Sequence, residues 1–195
     1  MQSEEKFIVA IGSSAGGLYA MKSFFDSTPN DHVTYIILRH VSHDFQSKLH
    51  EVLQHYSKLK ITEAENGKLI EQNTVYMQPP AMYMTIKNDR LYLESRLNYP
   101  LYPNRSTDIF LSSLSKSMGK KSIAVILSGG GTDGTKGACA IKHAGGMVIA
   151  QGPGSCEYAS MPNNVIKAGC VDHVLLPEEM PPVIVEHVNE RLLSH

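Results

Sequence analysis

Phe7–Gly17 reads FIVAIGSSAGG, and the fold turns on how this stretch is read. Phe7, Ile8, Val9 and Ala10 form an unbroken apolar run that passes through Ile11 into a serine turn flanked by glycines. A continuous apolar run, as opposed to alternation, marks a strand buried on both faces, the kind found inside parallel sheets. The spacing of Leu18, Met21, Phe24 and Phe25 predicts a helix over Leu18–Phe25, directly behind the turn. Gly12-Ser13-Ser14-Ala15-Gly16 also fits G-x-S-x-G with Ser14 at its centre. Small residues on both sides let the backbone turn sharply and hold the hydroxyl clear of the sheet. The helix N-terminus directs its free N–H groups and positive dipole end at the same spot. Taken alone, the turn keeps a second reading, because glycine-rich strand-to-helix turns also bind phosphates or serve structure only. It is no dinucleotide fingerprint, since Ser14 stands where glycine is needed, and no P-loop, since no Gly-Lys-Ser/Thr follows.

The same grammar recurs along the chain. Val33–Leu38 is a second buried strand, running into Arg39-His40 and the polar loop Val41–Phe45, with a helix expected over Gln46–Tyr56. Ile123–Leu127 is a third such strand, running into SGGGTDG (Ser128–Gly134) and a helix to about Ala144. Met147–Gln151 is the next strand, followed by a short helix opening at Met161-Pro162, a last strand near Val171–Leu176 and a C-terminal helix. Before these, Ser106 or Thr107 caps a helix to Met118, with Asp108 favourable in its first turn. The middle third is different: Ile61–Glu63, Thr74–Met77, Met82–Lys87 and Leu91–Glu94 are short strand-like runs, read together as an antiparallel extension of the sheet, with Asn88-Asp89 as a hairpin turn. The expected class is α/β: a doubly wound, mostly parallel sheet with helices on both faces and an antiparallel hairpin extension.

Composition limits the function. A chain of 195 residues suffices for one α/β domain, and its formal net charge of −1 gives no footprint for nucleic acid or an anionic membrane. No apolar run approaches the roughly 20 residues a membrane helix needs, and the polar start MQSEEK is no signal peptide. Cys139, Cys156 and Cys170 form no C-x-x-C, which suggests buried reduced thiols in a reducing cytoplasm.

Ser14, His40 and Asp133 each follow a predicted parallel strand, and sites in such sheets form beyond the strands' carboxyl ends. A serine hydroxyl is a weak nucleophile near neutral pH. A neutral imidazole can take its proton, and a carboxylate can hold that imidazole in the right tautomer. His40 is the best-placed base and His43 its neighbour and rival; His50, His55 and His173 read as surface or core residues. His40-x-x-His43 with Asp44 has a metal-like spacing but no second half. Asp133 is open to an alternative as an Asx turn or cap for the helix that follows it.

The three segments IGSSAGG, ILRHVSHDF and LSGGGTDGTKG, together with NRSTDIFLSSL and AQGPGSCEYASMPNNVI, resemble the signatures of the chemotaxis protein-glutamate methylesterase (CheB type) catalytic domain, in order, over roughly Phe7–Leu176. The resemblance implies hydrolysis of glutamate γ-methyl esters on the cytoplasmic helices of chemoreceptors. Some members also deamidate receptor glutamines. It implies Ser14 as nucleophile, His40 as base and Asp133 as orienting acid, with no metal or organic cofactor. The backbone N–H groups of Ala15 and Gly130 are placed as oxyanion donors, and Arg39, Arg105 and Met161 as residues lining the site. The chain departs from the family at Gly130, where methionine is frequent, and at Arg39, where glutamine is common. It is expected to be a single catalytic domain over 1–195 with no receiver domain. Its SSAGGL form resembles the version fused ahead of a receptor methyltransferase, so a fused or associated methyltransferase is an expected partner. A cytoplasmic location is expected, with no nucleic acid and no direct membrane insertion. The competing reading is an inactive regulatory or binding module that keeps the fold; a third is a hydrolase of the same mechanism acting on another ester or amide.

Overall fold

The computed structural model describes residues 6–39, 43–98 and 104–193. Its strands are β1 (Ile8–Ser13), β2 (Thr34–Arg39), β3 (Lys60–Glu63), β4 (Thr74–Met77), β5 (Met82–Lys87), β6 (Arg90–Ser95), β7 (Ser122–Ile126), β8 (Met147–Gln151) and β9 (His173–Leu175). Its helices are α1 (Gly17–Asp26), α2 (His43–Tyr56), α3 (Ser106–Met118), α4 (Thr135–His143), α5 (Ser160–Lys167) and α6 (Met180–Leu193). Every residue of β1, β2, β7 and β8 is buried, as their continuous apolar sequences require of interior parallel strands.

The sheet is seven-stranded, in the order β3-β4-β2-β1-β7-β8-β9, and all its pairings are parallel. Because side chains alternate along a strand, β1 splits into two cores. Val9 and Ile11 pack with Phe24 and Phe25 of α1, Leu53 of α2 and Ile184 of α6. Ile8 and Ala10 pack with Phe110 and Leu114 of α3, Ile141 of α4, Val165 of α5 and Met84 and Leu91 of the hairpin. Helices therefore cover both faces, and the fold class is the doubly wound one expected from the sequence. The strand order reverses at β1, with β2 on one side and β7 on the other. The crevice beyond their carboxyl ends is the switch point where such sheets place their sites.

The middle third resolves into two parts. β3 and β4 join the main sheet in parallel, contrary to an antiparallel reading of this whole region. Only β5 and β6 are antiparallel, and they form their own two-stranded sheet. It is tied to α3 by a hydrogen bond from Ile86 N to Ser113 Oγ at 3.0 Å. Asn88 (φ 49°) and Asp89 (φ 56°) both take the left-handed conformation that a tight hairpin turn demands. Helix α2 starts at His43, earlier than Gln46.

The cysteines also depart from expectation. Cys139 on α4 and Cys170 beyond α5 form a disulfide with a Cα separation of 5.0 Å, and Cys156 alone is free. The two half-cystines lie 31 residues apart in sequence. Packing of α4 and α5 on the same face of the sheet brings them together, which spacing alone does not reveal. Among the described residues, no helix is long and apolar enough to cross a membrane.

Candidate active site

Ser14 sits on the crest of the turn between β1 and α1, half-buried, while Ser13 is buried at 1%. The two serines are separated by the strand's last pleat. Ser13 Oγ is shut beneath the start of α1 with no hydrogen-bond partner among the described residues, and a Cβ on Gly17 would lie 2.7 Å from it. The turn needs Gly16, whose φ is +74° and whose missing Cβ would lie 2.6 Å from both Ser128 Oγ and Glu157 Cβ. The peptide after Ser14 is held by its carbonyl, which accepts hydrogen bonds from Gly17 N at 3.2 Å and Arg39 Nη2 at 3.4 Å.

Opposite this turn lies the glycine loop after β7. Ser14 N donates to Ser128 O at 3.1 Å, joining the two. Gly129 has no room for a side chain, because a Cβ there would collide with Met161 Sδ and stand 3.0 Å from Ser14 N. Gly129 N donates to Tyr158 O at 2.8 Å, and Gly129 O accepts from Met161 N at 2.9 Å. Asn164 Nδ2 donates to Gly131 O at 2.9 Å. The amides of Ser14 and Gly129 are thus engaged within the protein. Those of Ala15 and Gly130 have no acceptor among the described residues, and both residues are exposed. Gly130 has open space around its Cβ position and no left-handed φ, so this departure at Gly130 carries no strain.

Asp133 is buried at 6%, and its carboxylate accepts two backbone hydrogen bonds, Thr107 N to Oδ2 and Asp108 N to Oδ1, both 2.9 Å. These are orphan donors at the N-terminus of α3, where the helix dipole is positive, so the charge is compensated and the carboxylate fixed in orientation. Asp133 is therefore a cap, but for α3, not for the helix that follows it, whose N-cap is Gly134 without a side-chain bond. Asp108 returns the arrangement: its Oδ1 accepts Gly137 N of α4 at 2.9 Å, and its Oδ2 accepts Arg105 Nη1 at 3.1 Å. The two helix starts are clasped by exchanged carboxylates, and α3 is capped by neither Ser106 nor Thr107.

Of the other residues singled out in the sequence, His40 lies outside the described residues, as do Val41 and Ser42. Arg39, in register with Ser13 at the end of β2, is buried at 8%, and desolvation lowers its pKa to about 10, which leaves it a cation at neutral pH. Arg105 is committed to Asp108, one residue from Thr107, whose N–H holds Asp133. Met161 is buried beneath Gly129. Burial raises the Cys156 thiol above its ordinary pKa. No group of three or more His, Cys, Asp or Glu able to hold a metal occurs among the described residues. Sequence reasoning missed Ser128 and Gln151, buried at 1% and 2%. Ser128 N donates to Gln151 Oε1 at 2.8 Å, and Ser128 Oγ donates to Ala15 O at 3.0 Å and accepts from Tyr158 N at 3.0 Å.

The chain matches the family model described as CheB methylesterase over residues 9–184. It is 32% identical over 185 residues to the protein-glutamate methylesterase/protein-glutamine glutaminase of Thermotoga maritima, covering 93% of this chain and 54% of that protein. The protein of the same name from Methylobacillus flagellatus is 31% identical over 189 residues, covering 95% of this chain and 53% of that protein. The chain thus spans about half the length of each of these two relatives. Its fold superposes on the crystal structure of the Thermotoga maritima CheB methylesterase catalytic domain with a TM-score of 0.84, at 31% identity, covering 93% of this chain and 98% of that one.

Proposed function

The chain belongs to the CheB methylesterase family, and from that premise we propose that it hydrolyses glutamate γ-methyl esters on chemoreceptors to glutamate and methanol in chemotaxis adaptation. Deamidation of receptor glutamines follows the same course with ammonia leaving. In this reading residues 1–195 are one catalytic domain working in the cytoplasm on the receptors' cytoplasmic helices, with a fused or associated methyltransferase as the opposing activity. The observation that carries the reading is the frame around Ser14. The half-buried Ser14 crests the switch-point turn, the exposed residues Ala15 and Gly130 have N–H groups with no acceptor among the described residues, and a carboxylate is clamped in the adjoining loop.

The chemistry follows from these groups. Ser14 Oγ attacks the ester carbonyl carbon as His40, the proposed base, accepts its proton. Charge developing on the carbonyl oxygen is met by the Ala15 and Gly130 N–H donors. The tetrahedral intermediate collapses, the C–O bond to the methoxy group breaks, and His40 returns the proton to the departing methoxy oxygen, releasing methanol. Water then attacks the acyl-enzyme with His40 again as base, releasing the glutamate side chain and restoring Ser14. Each Asp133 oxygen accepts one backbone N–H and has a second lone pair, so the carboxylate can also receive an imidazole N–H and orient it. An inactive module of the same fold finds no support at Gly130, where the backbone is unstrained and the donor is retained. The test is methanol release from a methylated receptor cytoplasmic fragment. Release by the wild type and none by Ser14→Ala supports the reading; a folded wild type that releases none from any receptor fragment overturns it.

A further inference from the structure

We infer that Ser128 is a positioning residue of the oxyanion site, aiming the Ala15 N–H by clamping the peptides on either side of it. This rests on the reading of Ala15 as an oxyanion donor. The peptide entering Ser14 is fixed by Ser14 N donating to Ser128 O at 3.1 Å. The peptide leaving Ala15 is fixed by Ala15 O accepting from Ser128 Oγ at 3.0 Å. Between them lies the peptide that carries the Ala15 N–H, and its opposite end, Ser14 O, is pinned by Gly17 N and Arg39 Nη2. One serine thus grips the nucleophile turn by main chain and side chain, across 113 residues of sequence.

Ser128 is itself held. Its N–H donates to the buried Gln151 Oε1, and Gln151 Nε2 donates to Ser155 O at 3.0 Å, so the frame reaches into the loop after β8. Tyr158 N donates to Ser128 Oγ, and Tyr158 O accepts Gly129 N, which orients the glycine loop that presents Gly130. The Ser128 N–H, C=O and hydroxyl are all engaged. Removing the hydroxyl leaves Ala15 O and Tyr158 N short of a partner beside a turn with no slack, since a Cβ on Gly16 would come within 2.6 Å of Ser128 Oγ.

Ser128→Ala removes one atom, and the expected result is a kcat for methylated receptor fragment about 10–100-fold lower, with KM within about twofold, because the donor acts on the oxyanion and not on the ground-state ester. A trifluoromethyl ketone analogue of glutamate methyl ester, whose adduct with Ser14 carries the oxyanion, is expected to bind more weakly by the same factor. Unchanged kcat, or a raised KM at unchanged kcat, overturns the inference. Amide exchange on the folded protein gives an outcome independent of catalysis: Ser128→Ala is expected to speed exchange at both Ser14, whose N–H donates to Ser128 O, and Tyr158, whose N–H donates to Ser128 Oγ. Acceleration confined to Tyr158 overturns the clamp. Coupled acceleration in a wild-type background that releases no methanol overturns the esterase reading while the clamp stands.

Discussion

Asp133→Asn separates the two duties assigned to this carboxylate. Its oxygens accept Thr107 N and Asp108 N, both at 2.9 Å, in a site 6% exposed. An amide keeps one acceptor and sets an NH2 group against the other backbone N–H. One hydrogen bond to a charged group is lost, worth about 1.5–3 kcal/mol, together with about 0.3–1 kcal/mol of charge–dipole energy at the start of α3. The expected loss is about 2–4 kcal/mol. At about 2–4 °C per kcal/mol for a chain of this size, thermal unfolding should fall by about 4–16 °C. The amide also presents a donor where the imidazole needs an acceptor, so kcat should drop on the order of 10³–10⁴-fold. Calorimetry and methanol release on the same preparation read both. Asp108→Asn is the control: Oδ1 can still accept Gly137 N, and only the ion pair to the partly exposed Arg105 is lost. Its cost should be about 1 kcal/mol, with kcat far less affected than in Asp133→Asn. An unchanged melting temperature in Asp133→Asn refutes the cap, and full activity in a destabilised Asp133→Asn refutes the orienting role.

Gly16→Ala should cost about 2–5 kcal/mol from a left-handed φ and a crowded Cβ, whereas Gly130→Ala should retain activity and gain about 0.4–1 kcal/mol; denaturant midpoints for the pair test both. Reducing Cys139–Cys170 opens a 31-residue loop and should lower stability by about 3–4 kcal/mol by chain entropy, read as a shift in urea midpoint with and without reductant. Burial, with Arg191 nearby, pushes the His187 imidazole below its ordinary 6.5. The unfolded chain then binds more protons, so stability should decline as pH falls below about 6.5 and level off once the folded imidazole also protonates. His187→Gln should flatten that slope in pH-dependent melting curves.

What the sequence revealed and what it withheld divide along physical lines. β1, β2 and β7 were legible because a strand buried on both faces must be apolar throughout, and their ends named Ser14 and Asp133 as candidates without further help. β3, reading KITE, was legible as a short strand at Ile61–Glu63 but not in its parallel pairing, since an edge strand with exposed termini can pair in either direction. Asp133 looked like a local cap because turn chemistry is judged over a few residues, while its partners Thr107 and Asp108 lie 26 and 25 residues away. Ser128 reads as filler in a glycine loop, and its partners Ala15, Gln151 and Tyr158 lie on segments that only the folded sheet brings together. The disulfide is hidden for the same reason.

The central claim is that the turn after β1 makes Ser14, and not the buried Ser13, the nucleophile. Labelling with a fluorophosphonate, followed by peptide mass spectrometry, tests it most directly. The account predicts one phosphonyl group on Ser14, loss of ester hydrolysis in step with labelling, and no adduct in Ser14→Ala. An adduct on Ser13, or full hydrolysis by Ser14→Ala, contradicts it.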